Sequence, residues 1–350
     1  MSREIALNTI YLKETPRIAH TEYSIGYHTE YILRKTGAKE INLEAIRKFF
    51  DIWLIDFLWN TNDGLHGDWE KFGRATDMGH AEYAINGSDK RLPKDCPFKT
   101  LEDVWSFDAV SEYGLPDFDE QVRAYEDIIQ KARKDFPDQL TTGGYYKTIV
   151  SGAIQAFGWE MFLMALSDIN KMERVLDGFF RFTLFHMEAW AQTSAEVIIQ
   201  HDDFVWANGP FMKPEIYRKI IIPRYAELWK PLHKAGKKVL FCSDGNFMEF
   251  AEDIVNAGAD GLIFEPCNDF GFMVERFGGS TVLIGSYVDC RDLTLRKWDV
   301  VKECIDKTIE LAKRHRGIMI AVGNHLPPNI PEEMMERYIE YLRGRLVPFS

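Results

Sequence analysis

Short apolar runs recur along this chain, and a helical pattern follows nearly every one. The runs are IAHTEY, WLIDFLW, LTTGGYY, EVIIQHD, KVLFCSD, GLIFEP, VLIGSYV and IMIAVGN. Strands this apolar, alternating with helices, belong in a parallel sheet buried on both faces. Eight of them favour a closed (β/α)8 barrel over an open sheet. No GxGxxG follows the early runs, which argues against a dinucleotide-binding sheet.

Helical patterns are expected at 43–49, 118–134, 157–166, 170–194, from 213, and at 247–257, 271–277, 297–314 and 331–345. The 118–134 segment starts just after Pro116 with acids in its first turn, and the helices at 213 and 331 open on a proline. The stretch 60–120 is rich in Gly, Asp, Pro and Trp. It reads as an insertion with short helices that walls a pocket, within one barrel domain spanning 1–350.

A net charge of −12 leaves no global basic face for nucleic acid. No run of about 18 apolar residues exists, so no membrane span is expected. The N-terminal stretch is too polar for a signal peptide. The cysteine count is five, odd and irregularly spaced, which suits reduced thiols in a cytoplasmic protein.

In a parallel barrel the C-terminal ends of the strands meet on one rim, and chemistry is sited there. This chain loads that rim. Alternate strand residues face the same side, so Cys242 and Asp244 point together, a sulfur and a carboxylate suited to half of a zinc site. The plainer reading is a buried cysteine followed by a helix-capping aspartate. Glu265 ends the next run and must be paired or exposed, because an isolated buried charge is costly. It is a candidate metal ligand or proton acceptor, or one half of a salt bridge. His325 follows the last run in a loop stiffened by Pro327 and Pro328, with Asn324 competing for the inward position. Asp202 and Asp203 are candidates for acid–base work or substrate contact, or one of them caps and the other is solvated. His28, His66, Trp69 and His80 are candidate pocket walls, joined as substrate-binding candidates by Trp206 and by Asp289.

The order and spacing of four segments, 201–246, 256–266, 276–289 and 322–342, resemble the uroporphyrinogen decarboxylase superfamily. The likeness covers roughly 120–345 and implies a distorted (β/α)8 barrel, with a homodimer as an expectation. Two chemistries come with it. One is cofactor-free decarboxylation of uroporphyrinogen. The other is methyl transfer involving a corrinoid protein and zinc. The decarboxylase branch carries an arginine-bearing motif similar to M-R-Q-A-G-R for substrate carboxylates. This chain reads TEYSIGYHTEYILRKTG there. The methyltransferase branch carries a pattern His-x-Cys-Gly where this chain has Cys242-Ser243-Asp244-Gly245, and a second cysteine where it has Asn324. It looks closer to members reading H-S-D-G-N.

The resemblance therefore implies a demethylase of a small methoxylated or methylated compound, which passes the methyl group to a corrinoid protein. Zinc as Lewis acid would be held by Cys242, Asp244, Glu265 and His325, while Asp202, Asp203 or Glu265 supplies a proton or orients substrate. The cobalamin would be carried by the partner, because this chain lacks a D-x-H-x-x-G signature. The alternatives are a metal-free decarboxylase of a smaller acid and a barrel that only binds.

Overall fold

A computed structural model describes residues 2–60, 96–323 and 325–346, and the backbone alone of 82–83 and 89–90. Eight parallel strands form the centre. They are β1 Ala19–His20, β2 Phe57–Leu58, β3 in two halves (Leu140–Thr141 and Gly143–Tyr146), β4 Val197–His201, β5 Lys238–Ser243, β6 Gly261–Phe264, β7 Val282–Ile284 and β8 Ile318–Ile320. Hydrogen bonding runs β1-β8-β7-β6-β5-β4-β3, and β2 pairs with the first half of β3. The ring closes between β1 and β2, where the Asp56 N–H donates to the His20 carbonyl at 2.9 Å. The result is a (β/α)8 barrel with helices outside. Residues 82–83 and 89–90 pair antiparallel apart from it.

Alternation along the strands separates two cores. Phe57, Leu140, Val197, Ile199, Leu240, Cys242, Ile263, Val282, Ile284, Met319 and Ala321 form one cluster, the barrel interior. Intervening residues such as Ile198, Phe241, Leu262 and Leu283 join the larger cluster shared with the helices. The helix Ser2–Ile10 packs Ile5, Ala6 and Ile10 onto the interior cluster. Burying each of its two isoleucines is worth about 1.5–3 kcal/mol. This helix goes unpredicted from sequence, because its apolar positions find a partner only once the barrel exists.

Some element boundaries differ from expectation. The run WLIDFLW is not one strand: Trp53 closes the helix Leu43–Trp53, and only Phe57–Leu58 pairs. Phe49 and Trp53 lie four residues apart on one helical face, and both pack on Tyr31. The expected helices at 157–166 and 170–194 become Val150–Phe157, Trp159–Ala165 and Ile169–Ala191. The helix expected from 213 contains a π-helical turn at Tyr217–Ile221 before it continues as Ile222–Lys234.

Candidate metal centre at the barrel mouth

Strand parity decides which rim residues meet. On β4, Val197 and Ile199 face the interior, so the same alternation carries His201 and Asp203 inward and turns Gln200 and Asp202 out. The register sets His201 beside Cys242 of β5 and Cys242 beside Ile263 of β6. Asp244 and Glu265 continue the inward rows of these two strands. Among the described residues, the group of three His, Cys, Asp or Glu side chains whose ligand atoms all lie within 4.8 Å of one another is His201, Asp203 and Asp244.

Asp203 organises this group. Its carboxylate meets His201 Nε2 at 2.9 Å, accepts the Tyr146 hydroxyl at 2.9 Å and accepts the Asp244 N–H at 2.8 Å. The Tyr146 ring stacks on the His201 ring with centroids 4.0 Å apart. Burial works against ionising Asp203, but His201 and these hydrogen bonds outweigh it, and the carboxyl is held below its ordinary range. Burial, then Asp203 and Asp244, pushes the Tyr146 phenol well up. Cys242 sits in the interior cluster, and burial followed by Asp244, Asp203 and Glu265 pushes its thiol well up. Cys267 is pushed up to about 12 by burial and by Glu265 and Asp244.

One imidazole and two carboxylates, close to the Cys242 sulfur, make a donor set suited to a divalent cation such as zinc, with a position left open. The residues fit such an ion. The set differs from the expected one in containing His201 and Asp203. Cys242, Glu265 and His325 do not join the 4.8 Å group. Glu265 Oε2 instead accepts the Gly245 N–H at 2.6 Å. His325 is buried on the segment after β8, beside Leu326, whose N–H donates to the Tyr23 carbonyl.

Asp202 corrects a second expectation. It is fully buried and points away from the mouth. Its oxygens accept the N–H groups of Ile149, Val150 and Ser151, the Ser151 hydroxyl and the Tyr225 hydroxyl. It caps the start of the Val150–Phe157 helix, and no face is left for substrate. A ladder along the helix after β4 completes the arrangement. Tyr217 donates to the Phe204 carbonyl, Tyr225 to Asp202 and the Trp229 indole to Gln200. Eight residues of unbroken α-helix would set Tyr217 about 80° from Tyr225. The π-turn absorbs one residue and returns both to one face.

Beyond β3, Lys147 is buried, 6 % exposed, and adopts a left-handed backbone with φ 62°. For a lysine that conformation costs on the order of 1–2 kcal/mol. It is held by the Lys147 N–H on the His201 carbonyl at 3.1 Å and by Asp202 on the amides of 149–151. Its ammonium lies 4.9 Å from the Tyr146 ring centre. On the β1–β2 side, Tyr23 stacks on Trp59 at 5.1 Å, and the Trp59 indole donates to the Thr21 hydroxyl at 2.8 Å.

The remaining candidates scatter. His28 is buried against the backbone of Leu326 and Pro327, and burial lowers its pKa. Trp206 is 47 % exposed and packs on Trp159 and Phe211. Asp289 accepts the Arg291 N–H at 2.7 Å and caps the short helix Cys290–Thr294. His66, Trp69, His80 and Asn324 lie outside the described residues. His201, Tyr146, Lys147, Tyr23 and Trp59 go unpredicted. For His201, the strand alternation from Ile199 is a signal present in the sequence. Tyr146 ends the run LTTGGYY, and nothing local marks which of its two tyrosines faces inward.

A parallel (β/α)8 barrel with ionisable groups gathered at the C-terminal ends of β4 and β5 defines an α/β-barrel protein with an enzyme-like mouth. The sequence model for uroporphyrinogen decarboxylase (URO-D) matches residues 92–345, and the chain belongs to that family. Among solved structures, a methyltransferase from Methanosarcina mazei aligns over 98% of each chain, with TM-score 0.64 and 15% identity. A xylose isomerase-like TIM barrel protein from Mycobacterium smegmatis, in complex with magnesium, covers 71% of this chain and 88% of its own, with TM-score 0.35 and 11% identity. No curated protein sequence matches the chain. No helix among the described residues is long and apolar enough to cross a membrane.

Proposed function

We propose that this chain is a methyltransferase that takes a methyl group from a small methoxylated or methylated compound and delivers it to a corrinoid protein. The observation that carries the reading is the convergence of His201, Asp203 and Asp244 at the barrel mouth. These three side chains would hold zinc. The bound ion would supply a Lewis acid for the oxygen or nitrogen that gives up the methyl group, which is otherwise a poor leaving group. Asp203 fixes the Tyr146 hydroxyl and the His201 ring. The Tyr146 hydroxyl, held un-ionised by burial and by Asp203 and Asp244, is a hydrogen-bond donor beside that centre. Glu265 stands on the next strand as a further carboxylate, with one oxygen fixed by the Gly245 N–H. The Tyr23–Trp59 stack gives an apolar wall for the body of the substrate.

Decarboxylation of a substrate with several carboxylates fits this mouth less well. Asp203, Asp244 and Glu265 would repel such a compound.

Metal analysis with a demethylation assay tests the reading. Purified protein is expected to carry about one zinc per chain. His201→Ala and Asp244→Asn should lose it, while His325→Ala should keep it. Methoxylated aromatic compounds supplied with a reduced corrinoid should yield the demethylated alcohol or phenol. Full turnover by metal-stripped protein, or decarboxylation of uroporphyrinogen, would overturn the proposal.

A further inference from the structure

We infer that Asn268 is a positioning residue that presents Asp244 to His201 and Asp203. The inference rests on the reading of that trio as a metal centre. Asn268 lies on the turn after β6, is fully buried, and belongs to neither the donor set nor any motif read from the sequence. Its side-chain amide donates to the Gly245 carbonyl at 2.9 Å and to the Glu265 carbonyl at 3.1 Å. Its side-chain oxygen accepts the Phe247 N–H at 2.9 Å. One side chain thus grips both ends of the turn that starts at Asp244.

That turn is constrained from its other side too. Gly245 has φ 83°, and a Cβ there would stand 2.7 Å from the Val205 carbonyl oxygen. The Asn246 N–H donates to the Trp206 carbonyl at 2.8 Å. The Asp244 N–H is spent on Asp203 and the Gly245 N–H on Glu265. With each N–H of 244–247 assigned, the direction in which the Asp244 carboxylate leaves the backbone is set. Asn268, together with the Glu265 carboxylate, joins this turn to the end of β6, and it alone of the two holds both Gly245 and Phe247. Losing it strands a buried carbonyl and a buried N–H, and the turn can relax only by rotating the peptides that aim Asp244. Residues that orient ligands in this way typically change metal affinity 10–100-fold when removed.

Cobalt(II) is the probe, because its visible absorption reports ligand number and geometry. The full chain should bind Co2+ with a d–d band. Asn268→Ala should bind it about 10–100-fold more weakly, with an altered band. Asn42→Ala, which removes the cap of the helix Leu43–Trp53 and touches no bond of the 244–247 turn, is the control for lost stability. It should bind Co2+ as the parent does. If Asn268→Ala does not fold, Asn268→Ser, which keeps a hydroxyl in place, carries the same expectation. An Asn268 variant with the parent's affinity and spectrum would overturn the inference while leaving the metal centre standing. A parent that binds no Co2+ would overturn the metal centre and the inference with it.

Discussion

Asp202 and Asp203 are neighbours with opposite destinations, and alternation along β4 is the cause. Asp203 turns into the mouth, where His201, Tyr146 and the Asp244 amide meet it. Asp202 turns out into a shell of donors from the next helix and from Tyr225. Their substitutions should therefore read out differently. Asp202→Ala leaves several buried donors unpaired and is expected to cost about 3–5 kcal/mol in urea unfolding. Asp203→Asn should keep most of the stability and instead lower the zinc content. Counting in twos from Ile199 separates the two acids in the sequence. The partners are not legible there: Tyr146 lies 57 residues away from Asp203, and no local pattern announces that contact. Similarly, His201 and Asp203 can be read as facing one way, but Asp244 as the third member depends on the register between β4 and β5.

Among the elements, the helix after β4 shows what a single extra residue accomplishes. Tyr217, Tyr225 and Trp229 reach Phe204, Asp202 and Gln200, three alternate positions leading out of one strand. The π-turn at Tyr217–Ile221 brings the first of them into line. Tyr225→Phe removes a hydrogen bond to a buried carboxylate and is expected to cost about 1.5–3 kcal/mol, measured by chemical denaturation. Deleting the exposed Lys219 should be tolerated, because seven α-helical residues also return Tyr217 to the face of Tyr225. A crystal structure of that variant with a regular helix and both tyrosine bonds intact would bear this out. In the sequence the centres of β4 to β8 were legible from apolarity alone. The ends were not. β1 and β2 shrink to two residues each, because the chain leaves the ladder where rim side chains take over its hydrogen bonding, as Thr21 does with the Phe57 carbonyl. Helicity through Trp53 was hidden because an aromatic and β-branched run suits a strand equally well.

For the whole molecule, pH dependence follows from charges that join strands. Asp260, just before β6, binds His233, Lys238 and the Val239 N–H of β5. Burial opposes its ionisation, but His233, Lys238 and the Val239 amide prevail, and its carboxyl is held below its ordinary value of 3.8. Unfolded, the group returns to that value, so its contribution is fully present above it and is lost as pH falls through the lower, folded one. Acid titration of the unfolding midpoint should show wild type losing stability in this range. Asp260→Asn should start lower at neutral pH and give a flatter acid limb. An unchanged limb would remove Asp260 from the account. The rim has a consequence of its own. Because Asn246 leans on Trp206, and Gly245 and Phe247 on Glu265 and Asn268, the connections leaving β4, β5 and β6 behave as one sewn panel. Anyone retailoring this barrel for another compound would have to transplant that panel whole, since a single grafted connection would arrive with its seams cut.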